Sequence, residues 1–283
     1  MAYTRRPMRR VCGDVSDGSI LRVPVVVLDT ETTGVNPSSD RIIELCALFC
    51  QNGEVVDFRK MRLDPQIQIP PEASQVHGIF NEQLVGKPVF ADVAARLVDY
   101  ISGKTLGRAA PWICGYNAIE FDGPLLNEEL CRAGLSFRLA VDQIIDPMVF
   151  VRWHLRHLRS RSLSNVCEHL GVRLQCAHSA LADARATWEV ALELTRRGFM
   201  PTHPDRILVE QTRLRNILRD EWERFSYWLY RDRFDGCLRL GAGVHCGETL
   251  SAVQPDYIDA LLRKIPDLPA EVRNTLQAAR AAA

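Results

Sequence analysis

The sequence has no net charge: 35 Lys and Arg balance 35 Asp and Glu. No global field therefore draws the chain to nucleic acid or to an anionic membrane, and any such attraction must come from local patches or bound metal. There is also no Cys-x-x-Cys. The 9 cysteines are irregularly spaced, and the closest pair, Cys46 and Cys50, falls in an apolar run that reads as a strand. Buried reduced thiols of a cytoplasmic protein fit this better than a disulfide framework or a zinc site. No apolar run is long enough to span a bilayer, so no membrane partner is expected. Arg5, Arg6, Arg9 and Arg10 are not followed by the apolar core of a signal peptide, and residues 1–22 read as a flexible basic tail. Internal repeats are absent, and only the Ala-rich end is of low complexity. What remains is a chain of 283 residues, enough for one sizeable domain and a small appendage.

The stretch around which the rest is organised is residues 25–34, Val-Val-Val-Leu-Asp-Thr-Glu-Thr-Thr-Gly. Four apolar β-formers run into two carboxylates at i and i+2, which share one face of a strand. Two adjacent acids resist ionising together, and a divalent cation removes that conflict; hard oxygen ligands suit Mg²⁺ or Mn²⁺. Taken alone, this stretch is equally compatible with a buried strand ending in a polar turn.

The chain in order predicts a mixed α/β domain over 23–200 and an accessory region over 205–283. The first strand covers 23–29 and the second 41–50. Asn52-Gly53 signals a hairpin, and 55–63 alternates as a third strand. Pro70-Pro71 opens a short helix stopped at His77-Gly78. Apolar residues at 90, 93, 94, 97, 98 and 101 have a helical period. A short strand over 112–116 precedes a helix over 122–133, with Asp122 as its possible N-cap. Residues 144–146 predict a fifth strand. Helices are expected over 149–158, 163–170 and 179–196, the last capped by Ser179. Gly198 to Pro204 reads as a boundary. Beyond it a helix, a short hairpin over 234–250 and two helices over 256–264 and 270–281 complete a mostly helical appendage.

Further acids follow. Asp122 comes after Phe121, five residues beyond Asn117. His178 and Asp183 lie in His-Ser-Ala-Leu-Ala-Asp-Ala, where the alanines let a helix pack closely and an acid on that face needs a partner. Asp-x-Glu at a strand end, Asn-x-x-x-Phe-Asp after a later strand and His-x-x-x-x-Asp opening a late helix occur in that order. Together they resemble the DEDDh (DnaQ-like) 3′→5′ exonucleases, the group of the ε proofreading subunit of DNA polymerase III, RNase T and oligoribonuclease. The segments Glu72-Ala-Ser-Gln-Val-His77-Gly78-Ile79 and Lys87-Pro-Val-Phe-Ala-Asp-Val also resemble the ε-type subgroup. The Asn-to-Asp spacing is longer than in ε itself. Residues 234–281, with Gly241-x-x-x-His245-x-Gly247 and Val253-x-Pro-x-Tyr257 before two helices, faintly resemble the C-terminal module of exodeoxyribonuclease X-like proteins.

The resemblance implies a ribonuclease H-like fold with a five-stranded mixed sheet flanked by helices. It implies two Mg²⁺ (or Mn²⁺) ions per active site, held by Asp29, Glu31, Asp122 and Asp183, with His178 as general base. Thr32, Glu72, His77, Asn117 and Phe121 match substrate-contacting positions. The implied substrate is single-stranded or 3′-frayed DNA, with a DNA polymerase or repair protein as partner. An exoribonuclease would use the same residues, and a non-catalytic binding subunit would have lost at least one of them. Arg152, His154, Arg156, His157, Arg159 and Arg161 form the most basic stretch of the expected nuclease domain, readable as a solvated helix face or as phosphate contacts.

Overall fold

The computed structural model describes residues 19–104, 107, 110–174 and 179–282. The arginine-rich start and His178 lie outside the described residues. Among them no helix is long and apolar enough to cross a membrane, and the cysteines are free. The chain forms two units. One comprises residues up to Phe150 with Ser162–Thr212; the other comprises Val151–Arg161 with Arg213–Ala283. The division at Thr212 lies beyond the expected boundary at 201–204, and residues 151–161 group with the C-terminal unit. Residues 19–22, assigned to the tail from sequence, join the fold: Ile20 is fully buried and its N–H donates to the Thr202 carbonyl at 2.7 Å.

The first unit is built on β1 (Val25–Thr32), β2 (Ile42–Gln51), β3 (Glu54–Arg62) and β4 (Trp112–Cys114) in the order β3-β2-β1-β4. β1 is antiparallel to β2 and parallel to β4. Asn52 and Gly53 both have positive φ, 57° and 77°, as the two-residue β2–β3 turn requires. Its helices are α1 (Pro71–His77), α2 (Phe90–Ile101) and α3 (Asp122–Arg132). Further along the chain come α4 (Pro147–His154), α5 (Leu163–Leu170), α6 (Ala180–Arg196) and α7 (Pro204–Phe225).

The sheet has four strands where five were expected. Residues 144–146 keep only one parallel bridge, Cys114 to Ile145. The reason lies in Asp146. Its carboxylate accepts the N–H groups of Asn117 (2.8 Å), Ile119 (3.3 Å) and Met148 (2.9 Å). Its own N–H donates to Gln211 Oε1 at 2.8 Å, and Gln211 Nε2 donates to the Ile144 carbonyl at 2.8 Å. These groups satisfy the backbone that a longer ladder would have used, and Pro147 opens α4 immediately afterwards.

The two faces of β1 have different neighbours. Val26 and Leu28 join Leu45, Ala47 and Phe49 of β2 in a core with α2 and α3. The alternate residues Asp29 and Glu31 therefore face the other way, beside Cys46 and Glu44 in register. That is the side of α6, which packs on β1 and β2. Ala180, Ala184 and Ala191 of α6 are fully buried, small side chains that let the helix approach the sheet closely. β2, covered on both faces, is buried along all but its last residue.

The second unit has its own core of Phe225, Leu229, Leu240, Leu250, Val253, Ile258, Leu268, Val272 and Leu276. β5 (Leu229–Arg231) pairs with β6 (Leu238–Leu240), so the hairpin begins before the expected residue 234. α8 (Pro255–Lys264) and α9 (Ala270–Ala281) close the unit. Tyr257 is closely packed: a Cβ at Gly243 would lie 2.5 Å from its hydroxyl, and His245 meets its ring edge-on at 4.4 Å. The basic stretch is also largely structural. Arg156 is buried, pairs with Glu221 and lies over the Trp153 and Tyr230 rings. Arg159 donates to the Val244 carbonyl and Arg161 to that of Arg156.

Candidate active site

β1 runs from a fully apolar start into Asp29, Thr30, Glu31 and Thr32, and α6 brings Asp183 one turn past its N-terminus to the same face. Carboxylate oxygens of Asp29, Glu31 and Asp183 all lie within 4.8 Å of one another. Asp122 stands outside that trio but close enough for its charge to act on Asp29. It is not the N-cap of α3, a position held by Phe121 without a side-chain cap. Asp122 instead lies in the first turn and is buried, and its carboxylate accepts the Thr30 hydroxyl at 2.6 Å. A local cap would have needed only its own helix; this bond spans 92 residues of sequence.

Crowding makes these acids hard to ionise. Burial pushes the Asp29 carboxyl well above the usual carboxylate range, with Asp122, Asp183 and Glu31 adding to it. Burial, then Asp183 and Glu44, raise Glu31 to about 8, against a smaller opposing pull from Lys60. Asp122 is raised to about 7, chiefly by burial, although the Thr30 hydrogen bond favours its anion. Without cations the cluster must hold protons near neutral pH. A group of hard oxygen donors so close, and so reluctant to ionise alone, fits divalent cations of the Mg²⁺ or Mn²⁺ type.

One acid on this face is differently placed. Glu44, opposite Glu31, is buried yet held below the ordinary glutamate range. Burial works against its charge, but Lys60 Nζ at 2.9 Å and Arg62 Nε at 3.0 Å outweigh it. Its second oxygen also accepts the Ala180 N–H at 3.2 Å, at the first residue of α6. Lys60 donates as well to Ser179 Oγ at 3.0 Å. The Ser179 side chain, expected to cap its own helix, makes no such cap; the lysine has taken it. Glu44 and Lys60 thus bind the start of α6 to β2 and β3, one turn before Asp183. The sequence reading missed both, as it missed Asp146 and Gln211. The available signals were a lone acid in the otherwise apolar run Ile-Ile-Glu-Leu-Cys and an Asp before Pro at a strand end.

The remaining expected residues are placed as follows. Thr32 is buried and donates to the Gly34 carbonyl at 2.6 Å, closing the turn after Glu31. Asn117 adopts φ of 61°, and its N–H is held by Asp146. Glu72 is exposed on the first turn of α1, and His77 is buried at the last. His77 Nδ1 accepts the Ile79 N–H at 3.0 Å, which leaves the ring proton on Nε2. Neither joins the carboxylate trio. His178 lies outside the described residues.

A family model described as Exonuclease matches residues 26–191. The DNA polymerase III subunit epsilon of Pasteurella multocida is 31% identical over 179 residues, covering 60% of this chain and 67% of that protein. The PolC-type DNA polymerase III of Clostridium perfringens is 28% identical over 165 residues, covering 58% of this chain. The chain spans only 11% of the length of that relative. Among solved structures, E. coli exonuclease I in complex with a dA16 oligonucleotide superposes with a TM-score of 0.53 at 21% identity. That match covers 71% of this chain and 44% of the other, a likeness of fold.

Proposed function

The chain belongs to the exonuclease family, and on that footing we propose that it is a divalent-cation-dependent 3′→5′ exodeoxyribonuclease of the DEDDh type. It removes nucleoside 5′-monophosphates from the 3′ ends of single-stranded or frayed DNA, in proofreading or repair. The observation that carries this reading is the convergence of Asp29, Glu31 and Asp183 within 4.8 Å on one face of the central strand. DNA is favoured because the relatives are DNA polymerase III proteins and the similar fold is that of an exonuclease solved with a DNA oligonucleotide.

In this reading Asp29, Glu31 and Asp183 would hold one cation, and Asp122 with Asp29 would help to hold a second. Bound cations supply Lewis-acid stabilisation of the phosphate and acidify the attacking water. His178 accepts the proton of that water as general base, a role suited to a group neutral near pH 7. Thr30 orients Asp122. Asp146 anchors the backbone of residues 117–119 that leads to Asp122. Glu44 and Lys60 fix the start of the helix that carries Asp183. Thr32, Glu72, His77, Asn117 and Phe121 are assigned to the terminal nucleotide.

The test compares single-stranded DNA, duplex DNA with a mismatched 3′ end, and RNA, each labelled at the 5′ end, in EDTA, Mg²⁺ and Mn²⁺. Stepwise shortening of the DNA in either metal and none in EDTA is expected. Full activity in EDTA overturns the metal assignment, and a strong preference for RNA overturns the substrate.

A further inference from the structure

We propose that the second unit carries a platform for single-stranded nucleic acid, built from Trp222, Tyr227 and Trp228 with Arg219 beside them. The identity of the ligand rests on the nuclease reading; the platform itself rests on the following geometry. α7 ends at Phe225, and Ser226 then takes a φ of 52°, a left-handed conformation uncommon outside glycine. That turn brings the Tyr227 ring to 6.2 Å from Trp222, between centroids, and 4.6 Å from Trp228. The three rings form one tilted series. Its inner member, Trp228, packs against the core of the unit. Its outer members are open: Trp222 is 59% and Tyr227 52% exposed.

The backbone under the series is closely packed. The Gly241 N–H donates to the Trp228 carbonyl at 2.7 Å, and a Cβ at Gly241 would fall 2.3 Å from the Tyr227 carbonyl oxygen. Two large rings thus stand on closely packed backbone with their surfaces in water, an arrangement that costs solvation. Such rings suit bases, because every base has a π-face, and stacking needs no particular sequence. Arg219, exposed one turn before Trp222 on the same helix, supplies a cation for the phosphates.

Charge complementarity selects the polyanion over a protein partner. Across 151–161 and 213–283 basic residues outnumber acidic ones, and since the whole chain is neutral the rest carries the acidic excess. The basic excess favours a polyanion on the second unit, where the rings and the exposed Arg219 supply the contact.

The experiment uses the full chain with the Trp222→Ala/Tyr227→Ala double variant, and separately Arg219→Glu and Trp222→Phe. Binding of a 5′-labelled oligothymidylate of about 30 nucleotides, several times an ordinary single-strand site, is read by fluorescence anisotropy in EDTA. Hydrolysis of a dinucleotide in Mg²⁺ is read in parallel. Each lost stack is expected to weaken long-strand binding about tenfold. Dinucleotide kcat stays at the wild-type value, and Trp222→Phe, which keeps a ring, retains most of the affinity. Arg219→Glu weakens binding and flattens its salt dependence. Unchanged affinity in the double variant at a wild-type melting temperature overturns the proposal, and is the result a protein-docking surface would give. If the double variant melts early, Arg219→Glu decides, and unchanged affinity there overturns it equally. A wild-type protein that binds the oligonucleotide through these rings but hydrolyses none would refute the exonuclease reading and leave the platform standing.

Discussion

Replacing Asp183 by asparagine removes one of three carboxylates crowded on the Asp29–Glu31 face, and its effect on stability follows from the geometry. The three carboxylates lie within 4.8 Å of one another; at an effective dielectric constant of about 20, two unit charges at that distance repel by roughly 3.5 kcal/mol. Glu31, raised first by burial and then by Asp183 and Glu44, stands at about 8 against an ordinary 4.5. A raised carboxyl pKa means the native state keeps a proton that the unfolded chain has lost. Stability of the metal-free protein therefore falls as pH rises from 4.5 to about 8. The full displacement of Glu31 corresponds to roughly 5 kcal/mol at about 1.36 kcal/mol per pKa unit. Asp183→Asn returns part of it. In EDTA near pH ~8 the variant is expected to be more stable than wild type by about 1–3 kcal/mol, allowing for the weaker hydrogen bonding of an amide. For a chain of this size that is roughly 2–10 °C in Tm. At about pH 5 the gain shrinks, because Glu31 and Asp122 are then protonated in both proteins. In Mg²⁺ the order inverts, since only wild type gains fully from ligand binding. Thermal melts in the four conditions read all of this. A variant less stable than wild type in EDTA at the higher pH would refute the reasoning, as would a wild-type stability that rises between the two pH values.

Three further outcomes are expected. His178→Ala should lower kcat by roughly 10²–10⁴-fold with little change in strand binding; wild-type kcat in this variant would remove His178 as the base. A strand ending in a 3′-phosphate should resist degradation while a 5′ block has no effect, and rapid cutting of circular single-stranded DNA would contradict attack from a 3′ end. Glu44→Gln should cost about 1–3 kcal/mol by weakening the hold on Lys60, Arg62 and the Ala180 N–H. It should also lower kcat more than it raises KM, with Glu44→Asp recovering part of the rate; equal loss in both parameters would mean a merely structural acid.

Much of this was determined by the sequence alone, because it depends on local periodicity. An i, i+2 pair in a strand must share a face, so Asp29 and Glu31 lie together whatever surrounds them. The apolar spacing of α2, the Asn52-Gly53 turn and the glycine stop after α1 are likewise properties of a few consecutive residues. The alanines around Asp183 already allowed a closely packed helix. Partners distant in sequence could be decided only by the tertiary structure. Asp122 exchanged a local capping role for the Thr30 hydroxyl, 92 residues away. Ser179 gave its hydroxyl to Lys60, 119 residues away. Glu44, a lone acid in an apolar strand, became a buried anion only because β3 and the start of α6 deliver donors to it. The expected fifth strand shrank to one bridge because Asp146 and Gln211 satisfied its backbone from elsewhere. In each case a polar group about to be buried had to find a partner, and which partner came within reach was fixed by how the helices and strands packed.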